Sequence, residues 1–209
     1  FGFELQRPTA SVDDSASEAS QPEGQTSSAS DFEYLTLQQI PRRDIERLAT
    51  EMMTIAETLY VDAESRGEEG IFPIDPRFMN SVYSADFHVG LSQAVLNQEG
   101  QVVGFNLSYF DEECNCVHLE KFGVREEDQG KGISRRLLQH LSSVALTRGI
   151  PTVELLVRKG NSKAMQIYEH FGFENVTPME YRNDPRANAY KYSVRTSELY
   201  SRVHRTEQN

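Results

Sequence analysis

Phe122-Gly-Val-Arg-Glu-Glu-Asp-Gln-Gly-Lys-Gly-Ile-Ser134 decides how the rest of this chain is read. A strand ends in it, a glycine-containing turn follows, and an amphipathic helix begins. A turn of this kind aims free backbone N–H groups and a helix N-terminus at one point, which suits a diphosphate. By themselves the glycines decide little. Gly130-Lys-Gly132 lacks the third glycine of a dinucleotide fingerprint and the Gly-Lys-Ser/Thr of a nucleoside-triphosphate loop.

The elements around this stretch can be read outward from it. Upstream, Cys116 to Val124 reads as a strand, preceded by a hairpin of Val89–Leu96 and Val102–Phe110 around the turn signal Gln98-Glu-Gly100. Downstream, Ile133 to Thr147 reads as a helix with Ile133, Leu137, Leu138, Leu141, Val144 and Ala145 on one stripe. Gly149 and Pro151 end it, and Thr152 to Val157 is the next strand. Asn161 can N-cap a helix running to about His170, with Gly172 as its stop. Two strands are expected around Asn175–Arg182 and Ala189–Arg195.

Nearer the N-terminus, Phe32–Leu37 reads as a strand and Arg42–Tyr60 as a helix. Ile45, Leu48, Ala49, Met52, Ile55, Ala56 and Leu59 recur there at helical spacing. Ser65 to Gly70 reads as a loop, and Asp75 to Ser84 as a short helix. The order is β-α-α-β-β-β-α-β-α-β-β, a mixed α/β (α+β) domain with about four helices on a mostly antiparallel central sheet. It spans residues 32–209 as one domain. Residues 1–31, rich in Ser, Ala and acids, are expected to be a disordered tail.

The third strand of the meander carries a parity break. Val117 and Leu119 fall on one side, Phe122 and Val124 on the other. A face that switches parity mid-strand implies an extra residue, so a bulge is predicted between about Glu120 and Phe122. A strand buried on both faces, with no bulge, is the alternative.

The net charge of −11 divides into −5 over residues 1–31 and −6 over the remainder. Nucleic-acid binding is disfavoured, because it needs a basic face. No run of about 18 apolar residues offers a membrane span. Cys114 and Cys116, one residue apart, are read as reduced thiols, with a metal or redox pair joined by His118 as the alternative, and reduced thiols favour a reducing, cytoplasmic (intracellular) setting. With four ligands at zinc-like spacing absent, no metal is expected.

Gln129-Gly-Lys-Gly132-Ile-Ser134 resembles the Q/R-x-x-G-x-G/A signature of the GNAT superfamily of N-acetyltransferases. About 30 residues on, Asn161-Ser-Lys-Ala164-Met-Gln-Ile-Tyr168-Glu-His-Phe-Gly172-Phe173 resembles the family's second block, N-x-x-A-x-x-x-Y-x-x-x-G-F. The likeness covers about residues 32–195. Ser134 departs from the usual Gly or Ala but remains small.

The resemblance implies acetyl-CoA as co-substrate and an N-acetyltransferase working by direct attack in a ternary complex. Amides of Gln129, Gly130, Lys131, Gly132, Ile133 and Ser134 would receive the pyrophosphate. The backbone of Phe122, Gly123 and Val124 would pair with pantetheine where the sheet splays, and Asn161 would stand near the CoA arm. His118 or Glu120 would be the base and Tyr168 the acid on the leaving thiolate. The acceptor would be an amine: a small molecule, a peptide N-terminus or a protein lysine. Tyr83, Asp86, Glu180, Tyr181 and Asp184 are candidates to line its pocket. A monomer or homodimer is expected. A non-catalytic acyl-CoA sensor on the same fold is the alternative reading.

Overall fold

Hydrophobic stripes and glycine stops become elements where the patterning is strong. The structure, a computed structural model, describes residues 31–64, 90–182 and 188–205. The expected tail, Asp31 apart, lies outside the described residues. So do the Ser65–Gly70 loop and the Asp75–Ser84 helix.

Among the described residues, seven strands form one sheet: β1 Glu33–Thr36, β2 Gln93–Leu96, β3 Val102–Asp111, β4 Cys116–Val124, β5 Thr152–Arg158, β6 Glu174–Asn175 and β7 Ala189–Arg195. Their spatial order is β1-β2-β3-β4-β5-β7-β6. All neighbours are antiparallel except β4 and β5. The helices are α1 Ile45–Glu64, α2 Ile133–Thr147, α3 Ser162–His170, the single turn α4 Met179–Arg182, and α5 Thr196–His204.

The two faces of the sheet are covered separately. Helix α1 lays Ile45, Leu48, Met52 and Ile55 against Leu96, Phe105 and Leu107 of one face. On the other face, Leu138, Leu141 and Ala145 of α2 join Leu199 and Val203 of α5 over Val117, Leu119, Val153 and Leu155. Ile133 and Leu137 continue that layer over Val95, Val103 and Val124. A Cβ on Gly123 would come within 3.1–3.3 Å of Phe105, Leu59 and Ile55. Glycine there lets α1 lie close on β4.

The predicted bulge is present. Leu107 pairs with Lys121 and Ser108 with Leu119, so Glu120 is the extra residue. Consequently Leu119 before the bulge and Phe122 after it both pack on the α2 side. Beyond this point β4 leaves its neighbour. It pairs with β5 only through Cys116–Thr152, Val117–Val153 and His118–Glu154. The edge from Leu119 to Val124 has no β5 partner, which is the splay expected at the CoA site.

Three expectations are corrected. The strand expected over Asn175–Arg182 ends after Asn175. Asn175 Oδ1 accepts the Thr177 N–H at 3.0 Å, and Pro178, which has no N–H to pair, leads into α4. Second, the chain after β7 forms α5, which had not been expected. Third, Cys114 and Cys116 are not separate thiols but a disulfide, with Cα atoms 5.3 Å apart. Asn115 between them takes a left-handed φ of 50°, which folds Cys114 back onto Cys116.

Candidate active site

Beside the parted edge of β4 lies a cavity of about 590 Å³. Its walls come from the two sequence blocks and the strand between them. Phe122, Gly123 and Val124 line it from β4. Gln129, Gly130, Gly132, Ile133 and Ser134 line it from the glycine turn and the start of α2. Asn161 and Tyr168 line it from the α3 side.

The turn has the conformation that its glycines allow. Gly130 and Gly132 have φ of 78° and 79°. An L side chain is strained in this left-handed region, while glycine adopts it freely. A Cβ at either position would meet no atom within 4 Å, so it would project into open space. Gly132 is the N-cap of α2, and no side chain caps this end. The first-turn N–H groups of a helix have no intrahelical acceptor, and the helix dipole adds positive potential there. An open cradle of unclaimed donors fits a pyrophosphate.

Two further contacts stiffen the cradle. Asp128, buried just before it, accepts from Arg125 Nε at 2.6 Å and from Lys131 Nζ at 2.7 Å. Burial pushes the Asp128 carboxyl up, but the hydrogen bonds and charges of Lys131 and Arg125 outweigh this and hold it below its ordinary value. Lys131 is thereby turned aside. Alone among the cofactor candidates it does not line the cavity, and it lies over the Phe32 ring. Gln129 donates to the Val124 carbonyl at 3.2 Å and accepts from Lys163 Nζ at 3.1 Å. Lys163 is a cavity residue that sequence reasoning did not single out, although it stands in a variable position of the second block.

Asn161 N-caps α3 by accepting the Ala164 N–H at 3.0 Å. Tyr168 is half-buried between Phe122, at 6.3 Å between ring centroids, and Phe173, at 5.5 Å. The cavity thus has backbone donors at one end and a phenol beside the parted strand.

The two base candidates do not line this cavity with Tyr168. Glu120 is the bulged residue, exposed and 3.6 Å from Lys121 Nζ. His118 lies on the last paired rung of β4 and β5. It stacks on Tyr109 at 5.1 Å, and its Nε2 is 3.3 Å from Asp111 Oδ2. Burial pushes the Tyr109 phenol up, and the charges of Glu120 and Asp111 push it further. These four side chains therefore form one polar patch at the point where the strands part. The side chains of Tyr83, Asp86, Glu180, Tyr181 and Asp184 lie outside the described residues.

Comparison with known proteins agrees with this geometry. Thialysine N-epsilon-acetyltransferase from Bos taurus is 32% identical over 82 residues, 38% of this chain and 48% of that protein. The chain spans 26–51% of the length of the curated relatives it matches. Among solved structures, Ard1 from Thermoplasma volcanium superposes with a TM-score of 0.59 at 18% identity, over 79% of this chain and 97% of that one. The PaiA N-acetyltransferase from Thermoplasma acidophilum, solved in complex with coenzyme A, does so with a TM-score of 0.55 at 16% identity, over 78% and 98%. At these identities both show the fold. The profile of the acetyltransferase (GNAT) family matches residues 51–173, well over half of the 209 residues. With its two signature blocks on the two sides of one cavity beside a bulged, parted strand, the chain belongs to the GNAT acetyltransferase family.

Proposed function

We propose that the protein is an acetyl-CoA-dependent N-acetyltransferase acting on a primary amine. One observation carries this reading. The edge of β4 beyond its β5 pairing, the uncapped start of α2 and the Tyr168 ring all border one cavity. Each suits a different part of the co-substrate. The α2 start takes the pyrophosphate, the Phe122–Val124 backbone offers amide partners to pantetheine, and Tyr168 stands where the sulfur would leave.

The acceptor reaches the thioester from the side of the polar patch. An alkylammonium has a solution pKa of about 10, so it must lose a proton before attack. His118 or Glu120 takes that proton, directly or through water. The amine nitrogen bonds to the thioester carbon, the carbon–sulfur bond breaks, and the thiolate takes a proton from Tyr168. Placed acids and bases of this kind contribute roughly 10²–10⁴-fold each. No cysteine is needed as nucleophile. The acceptor class spans small amines, peptide N-termini and lysine side chains, the first in keeping with the thialysine relative.

The test is release of CoA thiol from acetyl-CoA in the presence of a mixed panel of small amines and peptides. Acceptor-dependent release supports the reading. Tight acetyl-CoA binding without release across the panel would instead make the chain an acyl-CoA sensor.

A further inference from the structure

At the base of the parted strands, four potential metal ligands from three segments meet. Cys114 comes from the turn before β4, Cys116 and His118 from β4, and Glu154 from β5. Their ligand atoms all lie within 4.8 Å of one another. We propose that these four side chains are a redox-gated site for one zinc(II)-class ion, closed while Cys114 and Cys116 are bonded to each other and open once they are reduced.

Donor spacing is the first argument. Zinc bonds of about 2.3 Å to sulfur and about 2.0–2.2 Å to nitrogen or oxygen place tetrahedral donors roughly 3.3–3.8 Å apart. His118 Nε2 is 3.6 Å from Cys116 Sγ and 3.9 Å from Cys114 Sγ, and Cys116 Sγ is 3.6 Å from Glu154 Oε2. Two of these three edges already have coordination lengths, and the edge to Cys114 is slightly longer. The sulfur–sulfur edge is short, because a covalent bond spans it.

Backbone placement is the second. His118 and Glu154 are registered partners on the last β4–β5 rung, and Cys116 stands two residues back on the same face. The left-handed turn at Asn115 brings the exposed Cys114 over them. Three of the four donors therefore sit on paired strands, where geometry is best held. Cys116 is fully buried, and the Glu154 side chain is 13% exposed.

Charge and softness choose the ion. Two thiolates and an imidazole favour zinc or a similarly soft ion over magnesium or calcium. Two thiolates, one carboxylate and a divalent ion sum to one negative charge. Lys191 Nζ, 2.6 Å from Glu154 Oε2, offsets it from outside.

The gating step balances simply. Two equivalents of a thiol reductant are oxidised to their own disulfide, passing two electrons and two protons to the Cys114–Cys116 bond. The two thiols formed release their protons as the ion binds. In a reducing compartment the pair would be available to metal, and in an oxidising one it would be closed. An ion held there takes His118 Nε2 away from proton transfer and leaves Glu120 as the candidate base.

The whole chain, reduced under anaerobic conditions with a phosphine that is itself oxidised to its oxide, should bind one equivalent of cobalt(II). Intense visible bands of tetrahedral cobalt and thiolate charge-transfer absorption should appear, and zinc should abolish both. Cys114→Ser, at an exposed turn position with little effect on folding, should remove the charge-transfer band from one sulfur. Glu154→Gln should weaken binding at least tenfold. The oxidised chain should show neither band. Absence of the bands in the folded, reduced chain, or equal cobalt binding by the oxidised chain or by Cys114→Ser, would overturn the site. None of these readouts depends on acetyl transfer.

Discussion

Lys163 Nζ donates to Gln129 Oε1 at 3.1 Å, joining the two signature blocks beside the cavity. Gln129 also donates to the Val124 carbonyl, so one side chain ties the end of β4 to the start of α3. An exposed pair of this sort is worth little for stability, roughly 0–1 kcal/mol. Under the proposed function, its importance would lie in presenting an ammonium to a polyanionic ligand. Lys163→Met should weaken CoA binding by about 3–10-fold with an unchanged melting temperature. Gln129→Ala should weaken it comparably, and the double variant should lose less than the product of the two effects. Calorimetric titration with CoA measures all three, and full multiplicativity would show that the two residues act independently.

Gly132 tests the cradle. A non-glycine residue at a φ of 79° costs about 1–2 kcal/mol of strain, and its side chain enters space that a phosphate would otherwise use. Gly132→Glu adds a negative charge at the same point. Acetyl-CoA affinity should fall at least tenfold, well beyond the loss from Gly132→Ala. Unchanged affinity in the glutamate variant would remove the diphosphate from this turn.

Tyr168 and the two base candidates separate by which kinetic constant moves. Tyr168→Phe keeps the ring contacts with Phe122 and Phe173 and removes only the hydroxyl. The expected result is kcat lower by about 10–100-fold with KM for acetyl-CoA within twofold. Weakened acetyl-CoA binding instead would make Tyr168 a packing residue. His118→Ala and Glu120→Gln should divide, with a loss of tenfold or more in the variant that removes the base. If neither reaches tenfold, both lose the role.

His140 controls an acid-side loss of stability. Burial depresses its pKa below the ordinary 6.5, and only partly does the hydrogen bond to the Gly90 carbonyl, 2.8 Å away, raise it. The unfolded chain then binds more protons than the folded one as pH falls past 6.5. Stability from neutral His140 is thus full above that value and is lost progressively below it, toward the depressed folded pKa. His140→Gln should flatten this part of the profile in denaturant titrations between neutral and mildly acidic pH. An unchanged slope would show that other groups set it.

The parts of the fold that were legible in the sequence are those where local pattern and punctuation agree. Helix α2 and strands β4 and β7 run over the expected residues, since each combines a clear periodicity with a glycine, turn or parity signal. The bulge was readable because burial on a single face forces a parity switch. Helix α5 was not, because only Leu199 and Val203 mark its apolar stripe, beside the Glu198–Arg202 pair. Spacing could suggest Cys114, Cys116 and His118 as a metal or redox group, but not the fourth donor. Glu154 comes from another strand, and its approach to Cys116 and His118 is a product of the parallel β4–β5 register. Asn161, Tyr168 and the glycines were visible as motif positions, whereas Lys163 could be found only from the wall it lines.

Three registered pairs are all that join β4 to β5. Across that seam the sheet falls into two plates, β1 to β4 with α1 on one face, and β5 to β7, while α2 and α5 lie over both on the other face. A sheet with so short a stitch has its line of least mechanical resistance where β4 and β5 separate. Small rotations of one plate against the other would have to work against the α2–α5 hydrophobic layer, which lies across the seam on Val117 and Leu119 of β4 and Val153 and Leu155 of β5. Backbone amides on the three rungs should therefore exchange with solvent faster than those of the long β3–β4 ladder, and a co-substrate that fills the gap would act as an added strand, mending the sheet along its shortest interior seam.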